Sequence, residues 1–458
     1  MTEHAMLRER AERPTTRALV ELLGEARERT LALIAPLGDD DVRRQHDPLM
    51  SPIVWDLGHI AHFEELWLGR NLDGPIEFSE MPGLYDPFQH PRSVRGALPL
   101  PDLPGAIALM RESRAPVSER VGALDLASHD PLVGDGYVVR MVAQHEYQHD
   151  ETILQTLQLK QGAPYAAPRA EVPPSVTGAR LALEAGAMVR FPGGRVGIGT
   201  DDRSAAYDNE RPRHVVDVRP FWIDVTPVTN GAYAAFIDDG GYDRRALWSE
   251  AGWEWREREG LIAPKYWSRD AHGWTERMFD HIRAIDVSRP VCHVCYHEAE
   301  AFARWAGKRL PSEIEWEAAA TWDPGAERKR ELPWGDDAPA PGATHLESFL
   351  AAQRFANLDQ LRFDTTPVGT YARNVSPIGC YGMIGDVWEW TSSDFAGYPG
   401  FESFPYREYS EAFFGSEYKV LRGGSFATRP GAMRGTFRNW DYPIRRQIFS
   451  GFRCARDG

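Results

Sequence analysis

The chain has 458 residues, a formal net charge of −15 and four cysteines. That length allows two or three domains without disulfide support, and few cysteines with no leader-like start fit a reducing cytoplasm. Scattered basic residues on an acidic chain argue against a nucleic-acid partner, and no apolar run approaches the ~20 residues of a membrane span.

Residues 15–160 read as helices, with apolar positions three and four apart over Thr16 to Leu37, Pro52 to Arg70, Leu103 to Leu124 and Val133 to Lys160. Four such segments predict an antiparallel bundle, whose sites are built from inward side chains on facing helices. In the second, Ser51 is expected to cap the helix with Pro52 at its first position, and His59 follows two turns in. The fourth carries Gln144-His145-Glu146-Tyr147-Gln148-His149-Asp150-Glu151. Histidines four apart lie about 40° apart around a helix axis, so the two imidazoles can converge on one ion.

The same letters match the H-E-x-x-H pattern of zinc proteases, with Glu146 as general base. That chemistry needs a third protein ligand downstream. Here the helical pattern ends near Lys160, and Glu171 and Glu184 fall in or just past a proline-rich stretch. His59 is the better third ligand, with His62 a rival on nearly the same face. A lone histidine is more often a half-buried structural side chain; a spaced pair with an upstream partner reverses that expectation.

Residues 162–180 form a Pro/Ala/Gly-rich linker. Beyond it Trp, Gly and Pro dominate, and long amphipathic segments are few apart from Tyr296 to Gly307 and Ser312 to Trp322. This predicts a loop-rich α+β domain held by aromatic packing. Cys292-His293-Val294-Cys295 lies in a strand-like segment, Pro290 to Tyr296, and lacks a second cysteine pair, so it reads as structural. Cys380 and Cys454 read as buried small hydrophobes.

The second half carries a series of landmarks: Gly193-Gly194 with Gly197-Ile198-Gly199, Asp208-Asn209-Glu210-Arg211-Pro212, Pro227-Val228-Thr229-Asn230 and Arg309-Leu310-Pro311-Ser312-Glu313. Pro333-Trp334-Gly335, Gly385-Asp386-Val387-Trp388-Glu389-Trp390, Arg422-Gly423-Gly424-Ser425 and Gly451-Phe452-Arg453 complete it. In this order they resemble the formylglycine-generating-enzyme fold, a C-type lectin variant that hosts several chemistries. The formylglycine enzymes use two reactive cysteines near the C-terminus; here only Cys454 lies there, so that activity is not expected. Trp55-Asp56-Leu57-Gly58-His59-Ile60 and the His145 to Thr152 segment resemble the DinB-like module. Joined in this order, the halves resemble the ergothioneine-biosynthesis sulfoxide synthases. Asp47 to Pro52, His90-Pro91-Arg92 and Phe437-Arg438-Asn439-Trp440-Asp441 extend that likeness over almost the whole chain.

The resemblance implies an α+β chain: a DinB-like four-helix bundle over 1–161, a linker over 162–180, and a formylglycine-generating-enzyme-like domain over 181–458 carrying substrate and catalytic residues. It implies a cytoplasmic, non-haem Fe(II) enzyme with His59, His145 and His149 as ligands. Three neutral imidazoles leave about half of an octahedral site open. The implied reaction uses O2 to join the imidazole C2 of hercynine (Nα-trimethylhistidine) to a thiol, giving a sulfoxide. The resemblance implies γ-glutamylcysteine, cysteine or a related thiol as donor, depending on subtype; the first, favoured here, has two carboxylates that call for guanidinium forks. Arg92, Arg95 and Arg445 match its positions, and Asp441 matches its ammonium partner. Gln148, Asn439 and Trp440 fall to substrate binding, an aromatic face suiting the quaternary ammonium. The family's catalytic tyrosine aligns with Tyr406, with Tyr409 the local competitor, and a phenol of pKa about 10 suits a proton donor. Tyr442 and Phe426 depart from the family's pattern. The alternatives are a selenoneine synthase using hercynine and a selenosugar, an H-E-x-x-H zinc hydrolase, and a non-enzymatic lectin-like binding module. Oligomeric state and a structural Ca2+ are left open by the sequence.

Overall fold

The computed structural model describes residues 14–72, 83–168, 179–335 and 354–458. The N-terminal region is built from α1 (Thr16–Ile34), a short α2 (Asp39–Arg43), α3 (Ile53–Glu64), α4 (Leu103–Gly122) and α5 (Tyr137–Gln158). Thr15 and Asp102 cap α1 and α4 by accepting from the backbone N–H of Ala18 and Gly105, at 3.1 and 2.9 Å. α5 starts after Gly136, whose φ of 76° suits a residue without a Cβ. The four long helices stand close to the spans expected from periodicity, and α3 runs on as a π-helical segment, Glu65–Arg70.

α5 packs on α1 and α3, and α3 packs on α4. Leu23, Val54, Ile60, Phe63, Val117, Val139 and Ile153 are among the buried apolar side chains between them. A charged layer also lies inside. Glu64 and Glu146 share Arg27 and Arg114 at 2.6–3.3 Å, all with little or no exposed side chain. Such a group is tolerated because every charge is paired.

The remainder is α+β. In chain order it contains β1 (Met188–Phe191), β2 (Gly194–Ile198), β3 (His214–Val218), β4 (Phe221–Asp224), α6 (Asn230–Asp238) and α7 (Glu250–Glu259). Next come β5 (Trp267–Asp270), β6 (Gly273–Met278), β7 (His281–Ala284), α8 (Tyr296–Trp305), α9 (Glu313–Thr321), β8 (Trp322–Asp323) and β9 (Arg328–Lys329). β10 (Trp388–Phe395), β11 (Gly415–Arg422), β12 (Asn439–Asp441), β13 (Ser450–Gly451) and β14 (Ala455–Asp457) finish it. The sheet that matters for the site has the order β12-β11-β10-β13, with β12 on one edge. β4 lies between β1 and β14, so the chain's last strand is paired inside a sheet.

Two local expectations need correction. Ser51 does not cap α3: the cap position falls on Pro52 with no side-chain bond, and the Ser51 hydroxyl accepts from Arg95 Nη1 at 2.8 Å. The expected strand from Pro290 to Tyr296 is not formed: apart from an isolated bridge at Pro290 the segment is a loop up to Cys295, which caps α8 at Tyr296. α6 and α7 were not anticipated, because each is short and starts from a local cap, Thr229 or Ser249. The irregular backbone is held by buried arginine pairs as well as aromatics, among them Arg453–Glu389 and Arg438–Glu313 at 2.7 and 2.8 Å. Residues 169–178 of the expected linker lie outside the described residues. Among the described residues no helix is long and apolar enough to cross a membrane.

Candidate metal centre and substrate site

α3 and α5 bring His59, His145 and His149 together, one ligating atom of each lying within 4.8 Å of the others. The ring centroids are 4.6–5.0 Å apart. His59 Nδ1 lies 2.9 Å from the Tyr85 carbonyl. A carbonyl only accepts, so Nδ1 carries the proton and Nε2 is left with a bare lone pair. The carboxylate of Asp56, 3.1 Å from His149 Nδ1, fixes that ring in the same sense. His59 Nε2 then faces His145 Nε2 at 3.2 Å. Burial drives the His59 and His145 pKa values well below the ordinary imidazole range, with neighbouring histidines adding to the effect. Neutral rings with converging lone pairs are the donor set a transition metal needs.

The surroundings are built to hold these rings. His145 lies flat on Phe63, centroids 3.6 Å apart, and His59 stacks on Trp55 at 4.8 Å. A Cβ at Gly58 would sit 2.0 Å from the Tyr85 ring, so glycine is what lets Tyr85 approach His59. His62 is half-buried against Tyr85 and stands outside the histidine cluster. Glu146 points into the bundle, where Arg27 Nε and the Thr30 hydroxyl donate to it at 2.8 and 2.9 Å. It is therefore spent on packing and is not a base at the metal.

The opposite face of α5 reads the second half of the chain. Gln144 accepts from Arg434, and Gln148 donates to the Tyr207 and Tyr409 hydroxyls at 3.0 and 3.2 Å. Glu151 accepts from Trp388 Nε1, Ser425 Oγ and Thr428 Oγ1 at 2.7–2.8 Å. Tyr406 is buried; its ring stacks on Trp67 and meets the edge of Phe63, the ring beneath His145. Tyr409 stacks on Tyr207 and lies 6.0 Å from Tyr406. Burial pushes both phenols well above the ordinary range, so each keeps its proton at neutral pH.

On edge strand β12, Trp440 stacks on Phe395 at 4.1 Å and touches Tyr409 and Phe413. Asn439 Oδ1 accepts from the Trp440 backbone N–H at 2.9 Å. Asp441 Oδ2 accepts from Arg445 Nε at 3.2 Å, and Arg445 Nη1 reaches the Leu49 carbonyl at 2.9 Å. Arg92, which is exposed, reaches the same carbonyl at 3.5 Å, while the buried Arg95 binds Ser51. The loop from Leu49 to Ser51 thus gathers all three arginines. Of the two departures from the family pattern, Tyr442 follows Asp441 and accepts from the Tyr418 hydroxyl at 2.8 Å, whereas Phe426 packs on Phe449.

Comparison with known proteins fits this construction. Residues 22–153 match the DinB superfamily model, and residues 174–458 match the sulfatase-modifying factor enzyme 1-like domain. The hercynine oxygenase of Mycobacterium tuberculosis is 44% identical, the match covering 95% of this chain and 97% of that protein. The hercynine oxygenase of Mycolicibacterium smegmatis is 46% identical over 96% of this chain and 98% of its own length. The formylglycine-generating enzyme of Streptomyces coelicolor is 33% identical over 59% of this chain and 89% of that protein. This chain belongs to the ergothioneine sulfoxide synthase family. It is an oxidoreductase with a helical DinB-type part and a formylglycine-generating-enzyme-like part.

In this family member no motif or spacing marks Tyr85, Phe63 or Tyr207 as part of the site. Asp56 lies one helical turn before His59 on α3, and the fold turns its carboxylate to the His149 ring of α5. Tyr85 lies across a loop, and only the fold brings its carbonyl to His59.

Proposed function

We propose that the chain is an iron(II)- and O2-dependent sulfoxide synthase that joins the imidazole C2 of hercynine to the sulfur of γ-glutamylcysteine. The observation that carries this reading is the cluster of three converging histidines, with no carboxylate in the cluster among the described residues. Membership of a family whose relatives are hercynine oxygenases supports it. The overall change balances as thiol S–H plus imidazole C2–H plus O2 giving C–S(=O) plus water, a four-electron oxidation of the two substrates. The residues divide between the parts proposed above: 1–161 supplies the metal ligands, 162–180 links, and 181–458 supplies most of the substrate contacts.

His59, His145 and His149 would hold the iron, which when bound supplies open coordination positions and redox electrons for O2 reduction. Tyr85 and Asp56 keep the His59 and His149 rings in one tautomer and one orientation. Gln148 and Asn439 provide hydrogen bonds for hercynine, and the faces of Trp440 and Tyr409 offer its trimethylammonium a π-surface. Arg92 and Arg445 take the donor's carboxylates, with Arg95 adding charge beneath them, and Asp441 takes its ammonium. Tyr406, buried and protonated beside Phe63, would hold a proton next to the histidine cluster for O2 reduction and help exclude water there.

Incubating the iron-loaded protein with hercynine and, in parallel, γ-glutamylcysteine, cysteine or a selenosugar tests the reading. Mass spectrometry should find the hercynyl sulfoxide most abundant with γ-glutamylcysteine. A seleno adduct formed in preference would move the assignment to selenoneine synthesis. Peptide hydrolysis by a zinc-loaded protein, with no adduct, would reject the oxidative reading.

A further inference from the structure

Arg95 is placed unlike the two arginines it was grouped with. Its side chain is 5% exposed, and its fork is turned inward. Nε donates to the His90 carbonyl at 2.8 Å, Nη1 to Ser51 Oγ at 2.8 Å, and Nη2 reaches the Pro87 carbonyl at 3.5 Å. The guanidinium carbon lies 3.5 Å from the centroid of the Trp55 ring. The Arg92 side chain, one 3-10 turn earlier, is exposed and reaches the Leu49 carbonyl at 3.5 Å.

Trp55 is one helical turn before His59 on α3, and the two rings stack with centroids 4.8 Å apart and planes 11° apart. The loop that Arg95 fastens is the one that holds both rings by its backbone. The Leu84 carbonyl accepts from Trp55 Nε1 at 3.0 Å, and the Tyr85 carbonyl accepts from His59 Nδ1 at 2.9 Å. One planar cation therefore bridges the start of α3, the loop over 84–90 and the indole against which His59 rests. Burying a guanidinium costs desolvation energy, and burial beside Arg92 lowers the Arg95 pKa to about 10. Three hydrogen bonds and an indole face offset that cost; among the described residues none of its hydrogen-bond partners is a carboxylate.

We propose that Arg95 is a positioning residue for the metal ligand His59, acting through Trp55 and the loop carbonyls it secures. The inference rests on the three-histidine metal site and deepens it: the residue matched to donor binding sets the metal ligand's orientation. Ligand-orienting partners typically govern metal affinity by about 10- to 100-fold. A lysine at this position keeps the charge but cannot fill the fork or lie flat on the indole.

Cobalt(II) titration of the metal-free full chain, followed by d–d absorption, reads this without turnover. Arg95→Met should raise the cobalt Kd about 10- to 100-fold and alter the band pattern. Arg95→Lys should fall between it and the parent, and Arg92→Met should leave Kd within about twofold, since it touches neither Trp55 nor the loop over 84–90. Arg95 variants that bind cobalt with the parent's Kd and spectrum, while the donor KM rises, would overturn the proposal and leave Arg95 a donor ligand. If Arg95→Met does not fold, Arg95→Lys decides by the same criterion. A His59→Ala variant that binds cobalt like the parent would instead reject the metal site itself, which separates the two failures.

Discussion

The candidate metal side and the proposed donor side of the site are built from different materials. His59, His145 and His149 project from two long helices, and their rings are fixed by Tyr85, Asp56, Trp55 and Phe63 in a region of low exposure. The donor side is assembled from the Leu49 loop, the 3-10 turn at Arg92–Ala97 and the segment from Asn439 to Arg445, where Leu49 and Tyr442 are 40% and 44% exposed. Rigid elements hold ligand geometry well, while a solvated, loop-built wall binds substrate and adapts to it. The contrast implies that metal retention and donor affinity are separable, and each side can be perturbed alone.

The largest effect should come from the metal side. His59→Ala should abolish metal retention measured by elemental analysis, whereas His62→Ala, outside the cluster, should keep most of it. Full metal occupancy in the His59 variant would erase the distinction between the two sides.

Next comes the tyrosine packed between Phe63, the ring beneath His145, and Tyr409. Tyr406→Phe removes a buried hydroxyl with little change in volume, so metal and substrates should still bind. Sulfoxide formation should fall by about a hundredfold or more, the scale for losing a positioned acid. Oxygen uptake should persist in part, with the donor's sulfinic acid as product. A parental rate in Tyr406→Phe together with a collapse in Tyr409→Phe would transfer the role to Tyr409.

On the donor side, Arg92→Met should raise the donor KM about ten- to a hundredfold, as expected for a lost charge-assisted pair worth about 1.5–3 kcal/mol. The hercynine KM should hardly change. Equal shifts in both constants would show that the two substrates do not occupy separate walls.

The smallest effect concerns the seam between the two regions. Glu151→Gln places an amide among three buried donors and should lower stability by about 1–2 kcal/mol in denaturant unfolding. An unchanged unfolding midpoint would mean that the seam contributes nothing measurable.

The same contrast explains what could be read from the chain. His145 and His149 are one helical turn apart, so their convergence is a local property of α5. His59 needed only a helix start nearby, and its helix begins within one residue of the expected position. The donor side offered no periodicity. Arg92 and Arg95 sit three apart in a 3-10 turn, and their opposite orientations depend on Ser51, Pro87 and His90, which no spacing rule connects. Ser51 was misread as a cap because Arg95, distant in sequence, claims its hydroxyl. Phe63 and Tyr207 escaped for the same reason: their roles come from stacking on residues of other elements.

Whether the three histidines hold a redox-active iron is decided by the metal content of anaerobically purified protein, combined with oxygen-electrode traces on adding hercynine and γ-glutamylcysteine separately and together. A single three-histidine site should carry about one iron per chain, and rapid O2 uptake should appear only when both substrates are present. Zinc at that stoichiometry, with no O2 uptake under any combination, would contradict a redox-active iron there.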